Sequence, residues 1–164
     1  MKIIISFIIG AIVGVGSLQL PAVQQKIGQA MGSQMLVEIE SPLGFDDTLA
    51  KIEENARYEG WKVPSKWKVN FQKNLMKTTG KDIGKNQVLK MCEPEAAVKI
   101  LVNDELKKLT TMMPCTIAVY EKSNGKTYIS MMNIEMLGMI YGGVVTGIAA
   151  ELAPQMDAMV NLSQ

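Results

Sequence analysis

From Ile3 to Gln25 the chain carries no charge, and Ile3 to Leu20 is almost wholly apolar. Eighteen helical residues rise about 27 Å, close to the roughly 30 Å of hydrocarbon that a spanning helix must cross. Residues 1–20 therefore read as a membrane segment. Lys2 ahead of it keeps the N-terminus in the cytoplasm and sends the rest across. A cleaved signal peptide is the rival reading, with Val15-Gly16-Ser17 as its small-residue cleavage site. Ser6, Gly10 and Gly14 recur every four residues, a ridge suited to packing against another membrane helix, and this favours an uncleaved anchor. Residues 21–34 are small and polar and read as a linker, partly helical, ahead of an exported domain over 35–164.

The period then changes. Met35 to Glu40 alternates apolar and acidic residues, the mark of a half-buried strand. Phe45 to Glu59 places Phe45, Leu49, Ile52 and Ala56 on one helical face, with Asp46 and Asp47 in the first turn and Gly60 as the stop. Trp61 to Trp67 reads as a second strand broken by Pro64, which suits an edge position. The spacing of Phe71, Leu75 and Met76 predicts a helix ending before Gly80. Gln87 to Cys92 is a third strand, and Pro94 opens a helix whose buried face is Ala96, Ala97, Ile100 and Leu101. Leu106 to Met113 is a connection. Cys115 to Tyr120 and Lys126 to Met132 flank Asn124-Gly125, a strong hairpin signal.

Ile134 to Val160 is helical in composition, interrupted by Gly138, Gly142, Gly143 and Gly147 and stopped or kinked at Pro154. Its charge-free stretch, Met136 to Ala150, is too short to span a bilayer, so it is expected to pack on the sheet or on a second copy. The glycines pair at spacing four and mark the place of that close contact, whether within the chain or across a homodimer. Together the elements predict an α+β domain: a mainly antiparallel sheet of about five strands, helices on one face, and an N-terminal transmembrane helix before it.

Composition narrows the chemistry. Seventeen basic and sixteen acidic residues leave a net charge of +1, which argues against a nucleic-acid partner. The chain has no histidine, so imidazole triads and histidine metal sites are excluded. Its lysine-rich stretch from Lys62 to Lys90 reads as a solvated face, with an anionic lipid surface as the alternative. Glu38 and Glu40 share a strand face and read as solvated rather than catalytic. No nucleotide loop, Cys-x-x-Cys pair or nucleophile elbow occurs.

Sulfur is what remains. Cys92 and Cys115 fall at the end of one strand and the start of the next. An antiparallel sheet makes them neighbours, whereas a parallel crossover puts them at opposite ends. Three readings stay open: a structural disulfide worth ~3 kcal/mol in chain entropy, two separately buried thiols, or a working pair. In the last, Cys92 at a helix start has a lowered thiol pKa, which Glu93 opposes. Thirteen methionines are unusually many. Met112, Met113, Met131 and Met132, with Met136 and Met139, gather at one end of such a sheet, where thioether and thiolate suit copper(I) or an axial contact to haem. The competing explanation is core filling in a chain with only three phenylalanines.

The runs VLKMCEPEAAVKIL (88–101) and MMPCTIAVYEKSNGKTYISMMN (112–133), followed by a long small-residue helix, resemble the domain-of-unknown-function 302 family. LGFDDTLAKIEENARYEGWKV (43–63) is similar to that family's opening helix and glycine-aromatic turn. The likeness covers about residues 35 to 160, and departs at Asn133-Ile134, where many members carry proline. It implies an α+β domain, often dimeric, and no particular activity. The expected function is a membrane-anchored binding or assembly module in the inner membrane, facing the periplasm, and self-associating or held in a membrane complex. The alternatives are secretion after signal cleavage, and a small redox, sulfur-handling, haem or copper protein using Cys92 and Cys115.

Overall fold

Alternation builds the sheet where the period-two runs require it. The computed structural model describes residues 21–162. Its strands are β1 (Leu36–Glu40), β2 (Lys68–Asn70), β3 (Asn86–Met91), β4 (Cys115–Glu121) and β5 (Thr127–Met132). They form one sheet in the order β1-β5-β4-β3-β2, antiparallel throughout. Gly125 closes the β4–β5 hairpin at φ 76°, a left-handed conformation that glycine adopts without strain.

Register sorts the side chains. The pairs Val37↔Met131, Ile39↔Ile129, Ile117↔Met131 and Leu89↔Ile117 put one apolar set on a single face. Ile117 and Val119 are fully buried there, beneath Ile52 and Ala56 of α2 (Phe45–Tyr58) and Met156 and Met159 of α6 (Gly143–Val160). At about 25 cal/mol per Å² of apolar surface, such contacts are the main stabilising term. The other face carries Glu38, Lys90, Thr116, Ala118, Tyr120, Tyr128 and Ser130, by the alternation of side chains along a strand.

The chain divides into two compact units at Met35/Leu36. In the first, α1 (Pro21–Met35) is one continuous helix where a partly helical linker was expected. Gln24, Gln25, Lys26, Gln29 and Ala30 are good helix formers and outweigh Gly28 and Gly32. The ridge of Ser6, Gly10 and Gly14 lies outside the described residues. Among the described residues no helix is long and apolar enough to cross a membrane.

In the second unit the expected second strand moves. Residues 61–67 hold only a bridge between Lys62 and Cys92 and a 3-10 turn at Ser65–Trp67, and the strand follows at Lys68–Asn70. Pro64 has no N–H for a ladder, so regular pairing resumes only beyond it. The strand still takes an edge, beside β3. Next, α3 (Phe71–Thr79) ends on Gly80 in the left-handed conformation, and α4 (Pro94–Leu101) buries Ala96 and Ile100. The connection expected over Leu106 to Met113 is built largely of a 3-10 stretch, Asp104–Met112.

The last segment breaks at its glycines and not at its proline. Here α5 (Ile134–Tyr141) ends at Gly142, whose φ of 67° is left-handed, and α6 begins at once and runs through Pro154. Leu152, Ala153, Met156 and Met159 are buried on either side of that proline, and their packing offsets its lost hydrogen bond. The two helices fold back closely. A Cβ on Gly138 would stand 2.7 Å from Ala149 Cβ, and Thr146 Oγ1 donates to the Gly138 carbonyl at 2.7 Å.

Candidate functional site

At the end of the sheet away from the hairpin, β3 runs out as β4 begins, and Met91 stands opposite Cys115. The antiparallel arrangement thus brings the two cysteines to one end. Cys115 shares the helix-facing side with Met91, while Cys92, one residue on and held extended by its bridge to Lys62, is turned by the pleat to the other side. Both are free thiols.

Neither sulfur is activated. Burial pushes the Cys115 thiol up to about 11, with a smaller contribution from nearby Cys92. Cys92 is also raised, by burial and then by the charge of Glu93. The lowered pKa expected of Cys92 at a helix start is therefore reversed. The free amides of α4 are taken by Glu93 itself, whose carboxylate accepts from Glu95 N and from Ala96 N, the latter at 2.5 Å. Cys92 Sγ donates only to the Glu93 carbonyl, at 3.6 Å.

The same end of the sheet holds an apolar cavity of about 450 Å³. Met112, Met113, Pro114 and Cys115 line it from the approach to β4, where the Met113–Pro114 peptide is cis. Met131 and Met132 line it from the end of β5, and Ile134 and Leu137 from α5. Val145, Ile148, Leu152 and Met156 of α6 form the back wall, and Ile100 and Leu109 close one side. Leu36, Lys90, Thr116, Ala118 and Ser130 also line it, so the cavity rounds the sheet end and reaches the other face.

The four methionines singled out in the sequence thus come together with Cys115, and Cys92 is not among the lining residues. Met136 is buried and Met139 is 74% exposed, both outside the lining. Met131 and Met132 point to opposite faces of β5, which separates their sulfurs. A soft-metal site built on thioethers needs them to converge, and the divergence of Met131 and Met132 keeps those two sulfurs from a single site. Among the described residues no group of three His, Cys, Asp or Glu is placed to hold a metal ion.

Of the helix glycines, Gly138 makes its close contact inside the chain, Gly142 and Gly143 form the break, and Gly147 faces open space. The lysines of the basic stretch are largely exposed. The sheet face opposite α2 and α6 also holds a feature the sequence did not single out. Glu38 accepts from Tyr120 Oη and from Lys122 Nζ at 2.6 Å, while Glu40 accepts from Lys126 Nζ at 2.7 Å and from Tyr128 Oη. Lys122 and then Tyr120 hold Glu38 below the usual carboxylate range, and Lys126 does the same for Glu40. Tyr120 and Tyr128 stack at 6.2 Å. Cross-strand register decides these partners, and only alternation of the acids was legible beforehand.

The family model described as "Domain of unknown function DUF302" matches residues 37–162. The chain belongs to the DUF302 family. This DUF302 domain is similar to the crystal structure of an "uncharacterized conserved protein DUF302 from Bacillus stearothermophilus", with 25% identity and a TM-score of 0.67. The likeness covers 77% of this chain and 96% of that one. No curated protein matches the chain.

Proposed function

We propose that the protein is a membrane-tethered, exported binding module whose domain takes an apolar ligand into the cavity at the sheet end. The cavity carries this reading: about 450 Å³, walled by aliphatic and methionine side chains. That volume lies within the 300–1,000 Å³ common for small-molecule sites. Methionine walls adapt to a flexible guest, because the thioether chain is unbranched and polarisable. The tether rests on the uncharged run from Ile3 to Leu20. Photolabelling tests the reading. Full-length protein in phosphatidylcholine nanodiscs, irradiated with dodecanol bearing a mid-chain diazirine, is expected to carry label on residues 111–116 and 145–156. Label confined to residues 3–20, or spread evenly over the surface, contradicts it.

A separate observation favours self-association. Met139, Ile140, Tyr141 and Val144 form an uncharged run of exposed apolar residues around the α5–α6 break, between 41% and 74% exposed. Patches of this kind mark contact surfaces. Sedimentation velocity on the nanodisc-free protein in a mild detergent is expected to show a dimer that Met139→Lys dissociates; a wild-type monomer at all concentrations opposes self-association.

A further inference from the structure

Among the described residues three lysines are half-buried: Lys51, Lys68 and Lys90. Lys51 pairs with Glu54 and Lys68 with Glu53. Of these three, only Lys90 pairs with no carboxylate among the described residues. An ammonium with no carboxylate beside it is available to an incoming anion.

Lys90 also stands at a telling place. It faces Thr116 across the β3–β4 pair and lines the cavity where that cavity reaches the sheet face opposite α2 and α6. Ser130 lines the same opening and makes no side-chain hydrogen bond among the described residues, so its hydroxyl is free to donate. Thr116 lines it too, its hydroxyl 3.5 Å from the Pro114 carbonyl. The nearest acidic residue of this face along β1, Glu38, is occupied by Lys122 and Tyr120. One mouth of the cavity is thus cationic and hydroxylated, and its interior is apolar.

We infer that the ligand is a single-chain anionic amphiphile, its alkyl tail in the cavity and its carboxylate or phosphate head on Lys90, with Ser130 donating a second hydrogen bond. This rests on the cavity's being a binding site, and adds the charge and place of the head. The cavity volume is near the lower end of the range for small-molecule sites, which suits one chain rather than a two-chain phospholipid. A charge-assisted contact at this half-exposed position gives a preference for the acid over its alcohol, and fixes which end of the ligand faces out.

The test compares diazirine-bearing dodecanoic acid with the matching dodecanol on full-length protein in phosphatidylcholine nanodiscs, at a pH where the acid is ionised. The acid is expected to label residues 111–116 and 145–156 about fivefold more efficiently than the alcohol. Lys90→Gln removes the preference and leaves alcohol labelling unchanged, and Lys90→Arg keeps it. In separate arms, unlabelled dodecanoic acid and dodecyl phosphate both compete better than dodecanol, and the stronger competitor names the head. Equal labelling by acid and alcohol in the wild type, or a preference that survives Lys90→Gln, overturns the inference while the cavity reading stands. Absence of label from both probes overturns the cavity reading itself.

Discussion

Cys115 shows how burial sets reactivity at a single residue. Its thiol is pushed from 9.0 up to about 11 chiefly because the folded domain desolvates it. That rise leaves about a hundredfold less thiolate near neutrality than an unburied thiol has. Iodoacetamide at pH 7.5, followed by peptide mass spectrometry, is therefore expected to modify Cys92 first and Cys115 far more slowly; equal rates would refute this account. The same shift couples to stability. The raised folded-state pKa means that the stabilising contribution of the neutral thiol is fully present below pH 9 and is lost as pH rises from about 9 through 11. Tyr120, raised from 10.0 to about 12 by burial and then by Glu38, adds a loss from about pH 10 through 12, which overlaps that of Cys115. Denaturant titrations at pH 8 and pH 10.5 are expected to show a smaller alkaline loss in Cys115→Ser than in wild type, and an unchanged loss would place the slope elsewhere.

At the level of elements, two glycines of like appearance in the sequence have opposite roles. Gly138 is the point where α5 meets α6, and an added methyl would stand 2.7 Å from Ala149 Cβ and 3.2 Å from Thr146 Cα. Gly138→Ala is expected to destabilise by about 1–3 kcal/mol, since backbone must move. Gly147 lies within α6 with nothing near its missing Cβ. Gly147→Ala is expected to stabilise by up to about 1 kcal/mol through helix propensity alone. Urea midpoints for the two variants check this, and changes of the same sign would contradict the packing described. Spacing identified both glycines, but spacing could not say which one faces a partner. Asn133 shows another limit of local reading: it caps α5 by accepting from Met136 N at 3.0 Å.

For the whole molecule, much of the sheet was legible because its rules are local. Alternation marked four of the strands within a residue or so, the Asn124-Gly125 turn joined β4 to β5, and Pro64 signalled an edge. The cavity was not legible, since Ile100 read as the buried face of a helix and Leu109 fell in an expected connection, and only the fold brings them together with Ile148 and Leu152. Lys90 was likewise hidden inside a lysine-rich stretch, where nothing local distinguishes a lysine that lines a cavity from a solvated one. The methionines supply the sharpest test of the central claim, that this space receives an apolar ligand. With ¹³C-methyl methionine in the full-length protein in nanodiscs, added dodecanol is expected to shift the methyl signals of Met112, Met113, Met131 and Met156 and to leave those of Met76 and Met139 in place. Shifts of equal size at all of these sites, or none at the four that line the cavity, would contradict it.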